Sequence, residues 1–385
     1  MITSASIIPF LFGLSLHVSI MTVAQESTPG IILVTPSGHE RHERIDSITT
    51  DAITFGSGDQ LIRVPMDRCI AMYTPGSMGR FDHDGMLFHV NGQEIPGRPQ
   101  VISGRFHWNH DWIGIMTPSI DHISAINLID TTRPTEPPGS NDVMELANGD
   151  RIEGLVSELS DPVIITTEQA DEVKVPLDRI GSVSLLSVPT DPGGARVFGI
   201  DQSIIDGSSV RTDDEGRIVL VDSMIDEEPR NLVINKEMIS GIVLNPSRLR
   251  PLCEASMTTK DPGDRSTRYQ VVAPEVLHQA APLGMKTIRL RGPVTVTFDP
   301  GPDGGRLLGR FTIPVSMHRW ADMDVSIMQD GGSLARFHLD GSNPGFEVDI
   351  MLDPGPFDVI IDEGQRGPVG DTIHMVDMVL VSPGD

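Results

Sequence analysis

Three groups of residues in this chain carry side chains able to bind or react. The first is Arg319, Trp320 and Asp322. One aromatic face beside a few polar groups is the usual make-up of a sugar site, because the ring stacks on a pyranose face while charged neighbours bind hydroxyls. The second is Trp108 and Trp112, two of only three tryptophans, on what reads as the two arms of one hairpin. Exposed, they would form a second aromatic platform; buried, they would be a cross-strand pair stabilising the turn. The third is the cluster His39-Glu40-Arg41-His42-Glu43. It lacks the two-histidine helical spacing of a zinc protease and is expected to be an exposed polar loop with no metal bound.

Other chemistry is absent from the sequence. There is no Gly-x-Ser-x-Gly elbow, no phosphate loop and no dinucleotide fingerprint, so the chain reads as a non-enzyme. No cofactor is implied. Calcium could be held by acid pairs such as Asp299 with Asp303 or Asp322 with Asp324, but neither has calcium-loop spacing, so solvated turn acids are expected. Cys69 and Cys253 are too few for a disulfide framework in 385 residues.

The elements that would position these residues are set by a repeat. Gly38 to Asp67, Gly92 to Asp121 and Gly149 to Asp178 are each a step of 29 residues. The step joins a Gly turn, clearest at Asn148-Gly149-Asp150, to a closing phrase such as Val175-Pro176-Leu177-Asp178-Arg179-Ile180. Glu237-Met238-Ile239-Ser240-Gly241-Ile242 makes a fourth closing phrase, whose Gly turn has no unique place. β-Branched residues alternate around short polar turns inside each copy, as in Val163–Thr167 and Val173–Val175, which predicts about five short strands per copy. The fold class is therefore all-β. Four small SH3/Sm-like barrel-type repeats are expected at 29–74, 85–130, 142–187 and 194–245, with a Pro-rich linker at 131–141. In the alignment Cys69 takes the slot of Ile123, Ile180 and Ile239, so it is expected to be a buried small hydrophobe.

A second linker, 246–267, leads to a region of different rhythm. Longer strands joined by Pro-Gly and Asp-Gly turns argue for a β-sandwich over 268–385, with Tyr269 its only tyrosine. Leu283-Gly284-Met285-Lys286 resembles the "GLGVHS" entry of the NPCBM family, a carbohydrate-binding module type first noted beside family-98 glycoside hydrolases. Val325 to Gly331 is similar to that family's "VxFxVxxDG", and Gly370-Asp371 through Asp377-Met378-Val379-Leu380 is similar to its closing "GDHADWADARL". The resemblance implies a jelly-roll, galactose-binding-like sandwich that binds glycan, with Asp371 and Asp377 at its site. Within the closing motif the family's His, Asp and Trp positions hold Thr372, His374 and Met375, so a sandwich that has lost its glycan site is the alternative. The upstream copies resemble the "LxNGDRLxG...VPxDRVxxI" units that accompany such modules in exported bacterial proteins, especially planctomycete ones.

Acids outnumber bases 54 to 29, giving a net charge of -25 that argues against nucleic acid. Most of the excess lies ahead of Arg268, which fits either a self-repelling soluble surface or a cation-rich partner. Residues 1–24 carry no Lys, Arg, Asp or Glu, contain the apolar run 7–14 and end in Thr22-Val23-Ala24, the pattern of an export signal. No later segment is apolar enough to span a membrane. A periplasmic, cell-envelope or extracellular protein is expected, with a glycan or envelope component as partner and further protein partners through the repeats.

Overall fold

The computed structural model describes residues 30–382 except 58–59, 77, 80–82, 131, 135–139, 170, 261–270, 278, 280 and 368–369. The expected export signal and Tyr269 lie outside the described residues. Every regular element described is a β-strand or a short 3-10 turn.

A similar element order occurs four times, with six strands in the first and fourth units and five in the second and third, where one longer strand replaces the second and third. It first runs through β1 (Ile31–Thr35), β2 (Gly38–His42), β3 (Ile45–Ile48), β4 (Ala52–Ser57), β5 (Gln60–Pro65), a 3-10 turn Met66–Arg68 and β6 (Ala71–Tyr73). It recurs as β7 (Gly85–His89), β8 (Glu94–Ile102), β9 (Arg105–His110), β10 (Gly114–Met116), a turn Ile120–His122 and β11 (Ile123–Asn127). The third is β12 (Asp142–Leu146), β13 (Arg151–Glu158), β14 (Val163–Thr166), β15 (Glu172–Val175), a turn Leu177–Arg179 and β16 (Ile180–Ser184). The fourth is β17 (Ala195–Gly199), β18 (Ile204–Gly207), β19 (Ser209–Thr212), β20 (Ile218–Ser223), β21 (Arg230–Ile234), a turn Lys236–Met238 and β22 (Ile239–Val243).

The closing phrase is what makes the 3-10 turn. Pro65 and Pro176 sit just ahead of it with φ near -57, the angle their rings impose, and Asp67, Asp121, Asp178 and Glu237 occupy its first turn. The turn delivers the chain into a last strand that pairs with the first strand of its own unit: β6 with β1, β11 with β7, β16 with β12 and β22 with β17. At the Gly turn, Gly149 has φ +87 and Asn148 Oδ1 accepts from Asp150 N at 3.1 Å, a conformation that needs no Cβ.

Units this small bury little on their own, and they solve it by sharing a sheet. The last strands pair across units: β11 with β16 through Ile126 and Val183, and β6 with β22 through Met72 and Ile242. Glu94 of β8 bridges Ile204 of β18, so one sheet runs in the spatial order third, second, fourth, first. All three residues of β6 and all five of β11 and β16 are buried, since each strand is paired on both edges. Each fully buried Ile or Val contributes about 1.5–3 kcal/mol.

The fourth unit shows why its Gly turn is missing from the sequence pattern. Its turn is Ile200-Asp201-Gln202-Ser203, with Gln202 at φ +74 in the glycine role and Asp201 Oδ1 accepting from Ser203 N at 3.1 Å.

The C-terminal part is a two-sheet sandwich. One sheet orders β25 (Glu275–Val276), β26 (Ile288–Arg291), β33 (Thr372–Val381), β28 (Gly305–Thr312) and β31 (Gly345–Leu352), with β23 (Leu249–Pro251) also on β33. The other orders β24 (Ser256–Lys260), β27 (Val294–Asp299), β32 (Phe357–Glu363), β29 (Asp322–Gln329) and β30 (Gly332–Asp340). Inward residues such as Val296, Phe298, Phe311, Val325, Ile327, Phe357 and Val359 fill the space between, with Phe298 and Phe357 stacked at 5.4 Å. The linker expected at 246–267 is corrected here: 249–251 and 256–260 are sandwich strands, and Leu252 is buried in its core.

The sandwich is docked on the repeat units. Leu308, Val379 and Val381 project from its first sheet onto Val34, Ile70, Tyr73, Phe198 and Val243 in one buried apolar cluster. Leu283 and Met285 of the Leu-Gly-Met-Lys entry belong to that cluster. A Cβ on Gly241 would stand 2.5 Å from Leu283 Cδ2, so the absence of a side chain there lets Leu283 seat.

Candidate functional site

Trp320 stands at the end of the loop that follows the 3-10 turn Val315–Met317, tied down by Trp320 N and Ala321 N both donating to Met317 O at 2.9 Å. Its ring is 52% exposed, and the Arg319 guanidinium carbon lies 4.8 Å from the ring centroid. An exposed indole with a cation stacked on it is an open aromatic platform with a hydrogen-bond donor at its edge.

The acids expected with it behave differently. Asp322, at the start of β29, is buried, and its carboxylate is occupied: Oδ2 accepts from Arg366 N at 2.8 Å and Oδ1 lies 3.2 Å from His338 Nε2. Asp371 is 2% exposed; its Oδ1 accepts from Asp322 N at 3.3 Å and its Oδ2 has no partner. Burial, helped by the charges of Asp322 and Glu363 and opposed by the bond from Asp322 N, pushes the Asp371 carboxyl up to about 6. Gly370 carries φ +88 and would place a Cβ 2.9 Å from Trp320 Cβ, so this chain segment lies directly against the tryptophan. The structure thus brings Arg319, Trp320, Asp322 and Asp371 together, but as an exposed platform over internal carboxyls that fix its loop.

Asp377 is not part of this constellation. It sits mid-strand at the β-bulge where β33 loses register with β28, at φ +52, and its carboxyl is raised by burial among Arg310, Glu347 and Tyr73. Expecting Asp371 and Asp377 to share one site is therefore corrected: they serve opposite needs, one at the loop end and one toward the repeat interface. Sequence reasoning missed His338, Arg336 and Arg366. His338 Nδ1 lies 3.0 Å from Asp324 Oδ1 and Arg336 donates to Asp324 Oδ2 at 3.3 Å, so these side chains rim the Asp322–Asp324 strand start. The alternation of Arg336 and His338 along one strand face was the available signal.

Two carboxyls, one of them raised, are the pattern of a glycosidase pair. Here Asp322 is tied to Arg366 N and His338, and Asp371 faces it from the interior. Among the described residues no group of three or more His, Cys, Asp or Glu is placed to hold a metal ion. Asp299 instead caps a turn, accepting from Gly301 N at 3.0 Å.

The second platform is overturned. Trp108 is fully buried, its Nε1 donating to Ile95 O at 3.0 Å, and its cross-strand partner is Met116, not Trp112. Trp112 lies in the turn between β9 and β10, and its Nε1 donates to Asp201 Oδ2 at 2.7 Å. Asp201 also accepts from Ser203 Oγ at 2.7 Å and lies 3.0 Å from His110 Nε2. Burial would raise this carboxyl, but the bonds from His110 and Ser203 outweigh it and hold it down to about 2. Ser, His and Asp are the residues of a hydrolytic triad, but the order is wrong, because Ser203 donates to Asp201 and not to the imidazole. His110 Nδ1 meanwhile faces Trp112 N and Ile113 N at 3.3 Å, which assigns the neutral tautomer with the proton on Nε2. The cluster is a buried polar clamp between the second and fourth units.

His39 is also corrected. It is part of β2, paired opposite Val34, and lies edge-on to Tyr73 where the sandwich docks, with Nε2 buried and unpartnered. Burial, more than the nearby Arg41 and Arg306 and against Asp349, lowers it to about 4. Cys69 is buried and both cysteines are free thiols.

No protein family and no curated protein matches the sequence. Solved structures similar to it include the CBM51 module of a Clostridium perfringens GH95 protein in complex with methyl-galactose, at 10% identity over 32% of this chain and 99% of that one, TM-score 0.24. Tandem CBM51 modules of a family 98 glycoside hydrolase from Streptococcus pneumoniae match at 10% identity over 92% and 88% of the two chains, TM-score 0.25. A CBM6 module from Clostridium stercorarium in complex with cellobiose matches at 10% identity over 35% and 93%, TM-score 0.21.

Proposed function

We propose that the chain is a non-enzymatic, exported binding protein whose C-terminal sandwich, an NPCBM-type module, takes a carbohydrate on Trp320. The observation that carries this reading is the half-exposed Trp320 ring with the Arg319 guanidinium beside it, held by a loop that buried Asp322 and Asp371 keep in place. A pyranose would stack on the indole while Arg319, with Arg366 and His338 further along the rim, meets its hydroxyls. The four repeat units, 29–74, 85–130, 142–187 and 194–245, then act as a rigid stalk that presents the module. No helix among the described residues is long and apolar enough to cross a membrane. Full-length protein screened on a glycan array, beside Trp320→Ala, tests the reading. Signal for a defined glycan in the wild type only supports it; equal signals, or none, count against it.

A second reading is favoured by the docking interface. The sandwich spends its first sheet's outer face on Leu308, Val379 and Val381 packing against the first and fourth units, which is how a scaffold of the cell envelope would be built. A blank glycan array together with specific capture of an envelope protein would select it.

A further inference from the structure

We infer that the cleft where the second, third and fourth units meet binds an extended peptide segment whose apolar side chains alternate with Lys or Arg. The cleft has a volume of about 570 Å³, within the range of about 300–1,000 Å³ found for ligand sites. Its walls include Leu155, Leu186, Val188 and Met224, whose relative exposures of 66%, 55%, 83% and 36% put four large apolar side chains in solvent around one depression. Exposed apolar residues scattered singly need no explanation; four facing one cleft, from the third unit, the segment after it and the fourth unit, do.

The floor carries two imidazoles. His89, at the end of β7, is 2% exposed and its Nε2 has no hydrogen-bond partner; His122, in the turn before β11, has an unpartnered Nδ1. In the repeat alignment the same two slots hold Leu146 and Arg179 in the third unit, so the paired histidines belong to the second unit alone. A buried nitrogen without a partner is unfavourable unless a ligand group meets it, and a peptide amide supplies both a donor and an acceptor.

The charge around the cleft selects the ligand. Asp121 lines it, while Asp191, adjoining Thr190 of the lining, and Glu227 and Glu228, just beyond Met224, are all exposed. Arg196, which donates to Asn91 O of the lining, is paired with Asp206, and Arg230 is paired with Asp226. An apolar cleft with an acidic rim fits apolar residues flanked by cations, and rejects an acidic or purely polar chain.

The test uses the full chain and a fluorescent ten-residue peptide alternating Lys with Leu and Val, with a Glu-for-Lys peptide as control, read by anisotropy. Saturable binding of the basic peptide, none of the control, and a loss of at least tenfold for the double variant Leu186→Asp, Val188→Asp are expected. Both positions are exposed, so the melting temperature should be unchanged. His89→Leu, which copies the third unit, should bind at least threefold more weakly. The proposal is overturned if the basic peptide does not bind, if the Glu peptide binds equally, or if both variants bind like the wild type.

Discussion

Removing the Asp201 carboxylate should unfasten the second unit from the fourth. In Asp201→Ala, Trp112 Nε1, Ser203 N and Ser203 Oγ lose their common acceptor, and His110 Nε2 the carboxylate 3.0 Å from it, in a site where Asp201 is 2% exposed. Each buried donor left unpaired costs about 1–3 kcal/mol, offset in part because a desolvated charge also disappears, so the net loss should be about 3–5 kcal/mol. For a cooperative body of about 200 residues that corresponds to a fall in Tm on the order of 10 °C. Urea unfolding followed by tryptophan emission reads it directly, since Trp112 is itself a clamp member. Trp112→Phe removes one donor and should cost about 1–2 kcal/mol. The pH dependence has a definite sign. Asp201 is held at about 2, against about 3.9 in an unfolded chain. Its contribution is therefore fully present above about pH 4 and is lost as pH falls toward 2, by roughly 2–3 kcal/mol. An Asp201→Ala protein within about 0.5 kcal/mol of wild type, the scatter of surface substitutions, would refute the clamp.

His39 gives a second acid transition at milder pH. A histidine lowered to about 4 is neutral when folded but takes a proton below about 6.5 when unfolded, so stability is lost as pH falls from 6.5 to 4, by roughly 3–4 kcal/mol. His39→Gln should flatten that part of the curve, and an unchanged slope would contradict the burial argument. Leu308→Asp places an unpaired carboxyl in the apolar docking cluster at a cost of several kcal/mol. Calorimetry should then resolve the sandwich from the repeat body as two transitions; one unchanged transition would show that the cluster does not join them.

What could be read from the sequence was what local geometry dictates. The step of 29 residues exists because a Gly turn and a 3-10 turn, entered from Pro65, Ser119 or Pro176, bracket the same strands in three units. The fourth turn escaped because Gln202 adopts the positive φ with Asp201 supporting it, a substitution that composition alone does not flag. The inward alternation of Phe106, Trp108 and His110 is legible as a period of two, which puts Trp108 in the core. Proline-rich residues 246–267 read as linker, although Leu249 and Leu252 are core residues supplied by a strand and a turn. Tertiary docking was not legible at all. Nothing near His39 or Leu283 in sequence announces that a distant sheet will cover them. The candidate site divides the same way: Trp320 and Arg319 were visible as residue types, whereas the burial of Asp371 and the departure of Asp377 depend on how β33 is threaded.

The most direct measurement is isothermal titration of full-length protein with a saccharide that it retains on a glycan array, set beside Trp320→Ala and Arg319→Ala. Covering the exposed indole with a sugar face, worth about 1.5–3 kcal/mol of apolar burial, predicts a loss of at least tenfold for Trp320→Ala and a smaller loss for Arg319→Ala, with both Tm values unchanged. Equal affinity in wild type and Trp320→Ala would contradict the account.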